Sequence, residues 1–197
     1  MTCKVEIREG VVFSHHKKGT VVLDEVDYRK VQDANGYLVI STSPTRPDWF
    51  FVGVDIPSKI AGQKKQRIGL NRFIMRPAED MEVDHKDGDS FNNRRDNLRV
   101  CTRKENSKNR KVHSNNKLGL KGVTKDSLGN YFSTIRVDGA FLRYGPFPDK
   151  EIAAKVYDQL ALEHFREYAR FNYSLEEAIA WRPNFLKLKE LLASFGG

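Results

Sequence analysis

Only two of the 197 residues are cysteines, Cys3 and Cys101, which excludes a disulfide framework and a four-cysteine zinc ribbon. No stretch approaches the roughly 18 consecutive apolar residues of a membrane span. The first residues hold no apolar run of signal-peptide length. A cytoplasmic protein with no membrane partner is expected. An acidic excess is missing too: 34 Lys and Arg face 26 Asp and Glu, and the mean hydropathy is -0.60. The remainder, 39% hydrophobic and 30% charged, suffices for small packed cores in one large or two small domains.

The excess positive charge is concentrated. Residues 1–63 balance eight basic side chains with eight acidic ones, and residues 126–197 hold nine against ten. Residues 94–125 hold eleven basic side chains, opposed only by Asp96 and Glu105. A block so dense between near-neutral flanks marks a contact with a polyanion rather than an ordinary solvated face.

Residues 1–63 read as a β-rich region. Segments 20–24, 36–41 and 49–54 are rich in β-branched and aromatic residues, with Gly, Pro and Asn between them. A short helix is expected over 24–32 and another over 69–76, stopped by Pro77. Residues 107–121 are polar and basic with little apolar periodicity, so 111–121 is expected to be a linker along a phosphate backbone. Residues 131–137 and 140–147 should pair around Asp138-Gly139, a strong hairpin turn. Asp149 should cap a helix running to about Glu167. Ser174 and Glu177 form a capping box for a last helix, expected to break at Pro183.

The chemistry concentrates in residues 82–106. A strand should end at Asp84-His85, residues 86–90 are turn-rich, and a second strand begins near Asn97. Thr102 and Glu105 form a capping box, which puts Asn106 in the first turn of a helix. Hydrolysis of a phosphodiester needs a base for water and a cation for the developing charge. Histidine can take the proton near neutral pH. The Asp84 carboxylate and the Asn106 amide oxygen are hard donors suited to Mg²⁺. Successive strand side chains point to opposite sides, so Asp84 and His85 take different tasks. An EF-hand loop counted from Asp84 fails, with Asp89 where Gly is needed and Arg95 where Glu is needed. Asp87-Gly88-Asp89 reads as a turn, and Asn92, Asn93 and Asn109 read as turn or helix-surface residues. His15, His16, His113 and His164 lack ligand spacing.

Asp84-His85, Asn97 twelve residues after His85 and Asn106 twenty-one after it resemble the HNH nucleases. The pattern is most similar to phage and intron-encoded homing endonucleases with Asn at the last motif position. The phrases Val-Asp-His-Lys-Asp-Gly-Asp, Asn-Asn-Arg-Arg-Asp-Asn-Leu-Arg and Arg-Lys-Glu-Asn carry the likeness. The resemblance implies a ββα-metal core within 64–110, with His85 as general base and Asp84 and Asn106 holding one Mg²⁺ (or Mn²⁺) per active site. It also implies that Asn97 braces the loop and the histidine ring. Asn71 stands in a helix where relatives often begin with His, and no function is assigned to it.

Residues 122–173 resemble a second family, the Apetala/ethylene-response-factor DNA-binding domain. The likeness rests on Lys121-Gly-Val, Tyr131-Phe-Ser-Thr-Ile-Arg136, Leu142-Arg-Tyr-Gly-Pro-Phe147, Glu151-Ile-Ala-Ala-Lys-Val-Tyr-Asp158 and Ala169-Arg-Phe-Asn172. It implies a three-stranded antiparallel sheet packed on one helix, with the sheet laid in the DNA major groove. Alternation agrees: Ser133, Ile135 and Val137 can face the helix while Thr134 and Arg136 face outward. Ile152, Ala153, Val156, Tyr157 and Leu160 form the expected apolar stripe of the helix. Thr124, Phe141 and Arg143 depart from the plant pattern of Arg, Arg and Trp.

The expected protein is therefore α+β, with residues 174–197 as a helical extension. The expected DNA contacts are Arg94, Arg95, Arg99, Lys108, Arg110, Lys111, Lys125, Thr134, Arg136 and Arg143. A metal-dependent endonuclease on double-stranded DNA is expected, site-specific, and acting as a monomer or homodimer. The alternatives are a non-specific toxin or defence nuclease of the same fold, and a DNA-binding regulator built on an inactive scaffold.

Overall fold

Alternation of apolar residues builds the first sheet. Val12 and Ser14 of β2 (Val11–His16) and Val21 and Leu23 of β3 (Gly19–Asp24) point inward, while β1 (Lys4–Arg8) forms the edge. The computed structural model describes residues 4–60, 62–112 and 115–194, so Cys3 and His113 lie outside the described residues. The chain divides into two compact units, residues 1–106 and 107–197.

In the first unit, α1 (Glu25–Asp33) follows β3 directly. A second antiparallel sheet comprises β4 (Tyr37–Ser43), β5 (Arg46–Pro57) and β6 (Lys65–Gly69), with β5 central. Helix α2 (Leu70–Met75) leads to the hairpin of β7 (Glu82–His85) and β8 (Leu98–Cys101), and α3 (Arg103–Lys108) closes the series. One core joins these parts: Val12, Val21, Leu23 and Val31 pack with Leu38, Val52 and Val54, and with Leu70, Ile74, Val83 and Leu98.

The expected boundary at 63/64 is corrected here. Strand β5 pairs with β6 across it, from Gly53 opposite Gly69 to Pro57 opposite Lys65. Residues on both sides also fill the same core. A fully buried carboxylate, Asp55, takes bonds from Arg67 at 2.6 and 2.9 Å and from Lys65 at 2.8 Å. The Arg67 and Lys65 partners hold it well below the usual carboxylate range despite burial.

In the second unit, β9 (Val123–Lys125), β10 (Tyr131–Val137) and β11 (Ala140–Phe147) form an antiparallel sheet with β10 central. Helix α4 (Lys150–Phe165) packs on it, with the Asp149 carboxylate accepting the Glu151 N–H at 2.7 Å as its cap. Ala153, Val156, Tyr157 and Leu160 are buried as expected, but Ile152 is 36% exposed. Gly122, at φ +70°, lets the chain pass under α4, because a Cβ there would meet the Tyr157 ring at 2.0 Å.

Two further expectations are corrected. Helix α5 (Leu175–Ser194) runs through Pro183 without breaking, and its Phe185 is fully buried in the core of α4 and the sheet. Two helices, not one, therefore cover this core, and 174–194 is part of the unit. The segment at 111–121 is likewise more than a linker. Leu118 and Leu120 pack against the same core, and Lys121 Nζ donates to the carbonyls of Lys108 and Arg110 at 2.5 and 2.9 Å. Burial lowers the Lys121 ammonium to about 8.

Candidate active site

Strand β7 divides its side chains between two faces. Val83 turns to the core with Leu98, whereas Glu82 and Asp84 share the other face with Arg99 and Cys101 across the hairpin. The register sets Asp84 directly opposite Arg99, which donates through Nε at 2.9 Å and a terminal nitrogen at 2.5 Å to Oδ2. Both side chains are nearly buried, at 12% and 8% exposure, so this is an ion pair fixed against its surroundings.

The capping box forms as the sequence requires. The Thr102 hydroxyl accepts from the Glu105 N–H at 3.2 Å, and the Glu105 carboxylate accepts from the Thr102 N–H at 2.8 Å. That start puts Asn106 in the first turn of α3, where its Nδ2 donates to Glu82 Oε2 at 2.5 Å. Asn106 is thus anchored to the β7 face that carries Asp84.

His85 ends β7, and its Nε2 lies 3.2 Å from Asn93 Oδ1. The loop 86–97 is tied by its own side chains. Gly88, at φ +72°, returns its N–H to the His85 carbonyl. Asn97 Nδ2 donates to Asp87 Oδ1 at 2.9 Å and to the Asn92 carbonyl at 2.8 Å, while its Oδ1 accepts the Asp87 N–H. Burial would raise the Asp87 carboxyl, but bonds from the Asp89 N–H, Asn97 and Asn92 outweigh it and hold it down.

Asn97 therefore sits where it can brace the loop. The side chain bonded to the imidazole is the fully buried Asn93, which the sequence reading set aside as a turn residue. Asn71, assigned no function, donates to the Val83 carbonyl at 3.0 Å and so steadies β7 from α2. Glu82 was also overlooked, although the period of two along β7 puts it on the Asp84 face. Asn93 had no such signal, because its backbone partner is Val22, 71 residues earlier.

The loop is clasped by the first sheet. Val22 bonds through its N–H to the Phe91 carbonyl and through its carbonyl to the Asn93 N–H. Asp24 accepts the Arg95 N–H at 2.9 Å. Buried Asp27 takes two bonds from Arg95, at 2.6 and 2.7 Å, and one from Lys30 at 2.9 Å. Burial would raise Asp27, but these cations outweigh it and hold its carboxyl low.

Among the expected DNA contacts, Arg95 and Arg99 bond to the buried carboxylates Asp27 and Asp84. Arg94 is paired with Asp24 and Asp96 at 3.4 Å each, with 41% of its side chain exposed. Lys108 Nζ lies 4.7 Å from the Phe165 ring centre, and Arg110 and Lys111 are exposed. On the outer face of the second unit's sheet, Arg143 stacks 3.5 Å above Phe132 and Arg136 lies 5.2 Å from Phe141. Thr134 stands opposite Arg143 on that face, and Lys125 lies 5.3 Å from Tyr131. His15 and His16 bond to Thr20 and Ser14 at 3.0 Å each.

The donor set suits a hard divalent cation. Asp84 offers a carboxylate held at Oδ2 by Arg99, and Asn106 offers an amide oxygen whose nitrogen is already taken by Glu82. No group of three or more His, Cys, Asp or Glu is gathered for a metal among the described residues, so a closed structural site is not formed there. A strand, a strand and a helix carrying Asp-His and Asn form the segment that comparison identifies.

Residues 76–108 match the HNH endonuclease family. The chain is also 35% identical over 112 residues to an uncharacterized HNH endonuclease, L560, of Acanthamoeba polyphaga mimivirus. That alignment takes in 54% of this chain and spans 58% of the relative's length. No solved structure matches the chain. The HNH segment contains Asp84, His85, Asn97 and Asn106, together with Glu82 and Asn93. Among the described residues no helix is long and apolar enough to cross a membrane.

Proposed function

We propose that this chain is a metal-dependent HNH endonuclease that hydrolyses phosphodiester bonds in double-stranded DNA. The supporting observation is the HNH segment itself, with Asp84 and His85 on opposite faces of β7 and Asn106 anchored to the Asp84 face. His85 takes the proton from the attacking water. Asp84 and Asn106 would hold one Mg²⁺ (or Mn²⁺), which would supply positive charge to stabilise the phosphate in the transition state. Asn97 keeps the loop in register with β8.

The homing, site-specific reading rests on the second unit, read as an Apetala/ethylene-response-factor-type domain whose sheet presents Thr134, Arg136 and Arg143 to base edges. Arg110 and Lys111, with Lys108, Lys125 and Arg94, supply sequence-independent phosphate contacts. One catalytic motif per chain suits nicking by a monomer, and a homodimer would cut both strands. Cys101, buried as a free thiol, accords with a reducing cytoplasm. One observation favours an inactive scaffold: Arg99 occupies Asp84 Oδ2. A carboxylate has about four lone-pair sites, more than the two Arg99 bonds to Oδ2 fill by themselves.

Plasmid cleavage by the full chain decides between the readings. Nicked or linear product is expected with Mg²⁺, none in excess chelator, and a loss of about 10²–10⁴ on His85→Ala. Intact plasmid with every divalent ion would favour the inactive scaffold.

A further inference from the structure

We infer that Glu82 is a positioning residue for the metal site: its carboxylate holds the Asn106 amide so that the amide oxygen faces the cation. The inference rests on the proposed metal-dependent reading and deepens it. The two groups come from separate elements, Glu82 from the start of β7 and Asn106 from the first turn of α3, and they meet at 2.5 Å. A carboxylate accepts only, so the amide must present its nitrogen to Glu82. Rotating the amide by half a turn would set its oxygen against the carboxylate. The oxygen is thereby directed away from Glu82, as a metal ligand requires. Glu82 itself sits two residues before Asp84 on the same face of β7, so one strand carries both a donor and the brace of its partner donor. Asp84 is held in the same manner by Arg99, which grips Oδ2. Partners of this kind fix a ligand's orientation, and their loss typically costs about 10–100-fold in metal affinity.

The test is Mn²⁺ affinity of the full chain without DNA, read from the electron paramagnetic resonance of free Mn²⁺, beside plasmid cleavage. Glu82→Ala should weaken Mn²⁺ binding about 10–100-fold. Glu82→Gln keeps an acceptor in place and should stay close to wild type. Glu82→Asp keeps the charge but withdraws the oxygen, and should behave like Ala. In an Asn106→Ala background, Glu82→Ala should add nothing. If Glu82→Ala does not fold, the Gln and Asp variants carry the test alone. Tight binding by Gln with weak binding by Asp supports the inference, and any other pattern overturns it. Weak binding by Gln with tight binding by Asp would make Glu82 a ligand through its charge. Wild-type protein that neither binds Mn²⁺ nor cleaves would remove the metal reading as a whole. Wild-type protein that does both, beside an unchanged Glu82→Ala, would remove this inference alone.

Discussion

His85 and Asn93 meet through Nε2 and Oδ1 at 3.2 Å, and the amide nitrogen of Asn93 is committed to the Ser90 carbonyl at 2.8 Å. The Ser90 carbonyl can only accept, so Asn93 presents its oxygen to the ring. The imidazole must then donate from Nε2, which leaves the lone pair of the neutral ring on Nδ1. Asn93→Ala should slow cleavage by about tenfold or more, yet by less than the roughly 10²–10⁴ of removing the base itself. Nitrogen NMR of labelled His85 should report the Nε2–H tautomer in the wild type and a mixture in the variant. A pure Nδ1–H form in the wild type would overturn the assignment.

The clasp on the loop makes a stability prediction. Asp27 is fully buried and depends on Arg95 for two of its bonds. Removing one partner of a buried pair leaves a charge without compensation, at a cost of about 3–5 kcal/mol. Arg95→Ala should fall at the lower end, because Lys30 remains bonded to Asp27. Denaturant unfolding of the full chain measures it, and a loss below about 1 kcal/mol would mean that the pair contributes little.

A pH effect should come from the second unit. Burial pushes Asp158 up to about 6, although the Asn172 and Tyr173 backbone and the Asn172 side chain bond to it and pull the other way. In an unfolded chain an aspartate titrates near about 3.9. Between those values the folded state binds a proton that the unfolded state does not. Stability from this group is therefore present at low pH and lost as pH rises through about 6. Urea unfolding at pH 4.5 and 7 should show that slope in the wild type relative to Asp158→Asn, amounting to about 2 kcal/mol. An identical pH dependence in the two proteins would contradict it.

DNA binding should separate into two kinds of contact. Neutralising Arg110 and Lys111 together should weaken all duplexes about equally and flatten the salt slope by roughly one unit per lost contact. Arg136→Ala and Arg143→Ala should weaken a preferred sequence selectively, by about 1–3 kcal/mol each. Competition binding at two salt concentrations distinguishes the two. A uniform loss from the sheet variants would assign them to phosphates instead.

The parts of the chain legible in advance are those governed by local chemistry. The β10–β11 hairpin follows from Asp138-Gly139, whose φ values of +48° and +92° suit a tight turn. Both capping boxes form as written. What could not be read was decided by distant partners. Strand β6 is Lys-Gln-Arg-Ile-Gly, a poor strand by composition, and it exists because β5 offers an edge to it. Strand β1, Lys-Val-Glu-Ile-Arg, carries the alternation of a strand, although its apolar residues Val5 and Ile7 stay exposed. Pro183 withholds one N–H from α5, yet burial of Phe185 against the second unit's core outweighs that loss. Asp84, His85 and Asn106 are proposed for the site because residue type and spacing in the sequence single them out. Asn93 escaped because its position depends on Val22.

The Val22 clasp bears on how far the motif can travel. An autonomous catalytic cassette would draw its rigidity from its own thirty or so residues, yet here the loop between the histidine and Asn97 borrows two backbone bonds from a strand near the start of the chain. Grafting residues 76–108 onto a foreign scaffold would leave the Phe91 carbonyl and the Asn93 N–H without those partners. A transplanted motif must therefore bring a strand edge that substitutes for Val22, together with an acid that receives Arg95. Trimming such a protein from its amino end should abolish order in the loop well before any residue of the HNH segment is removed.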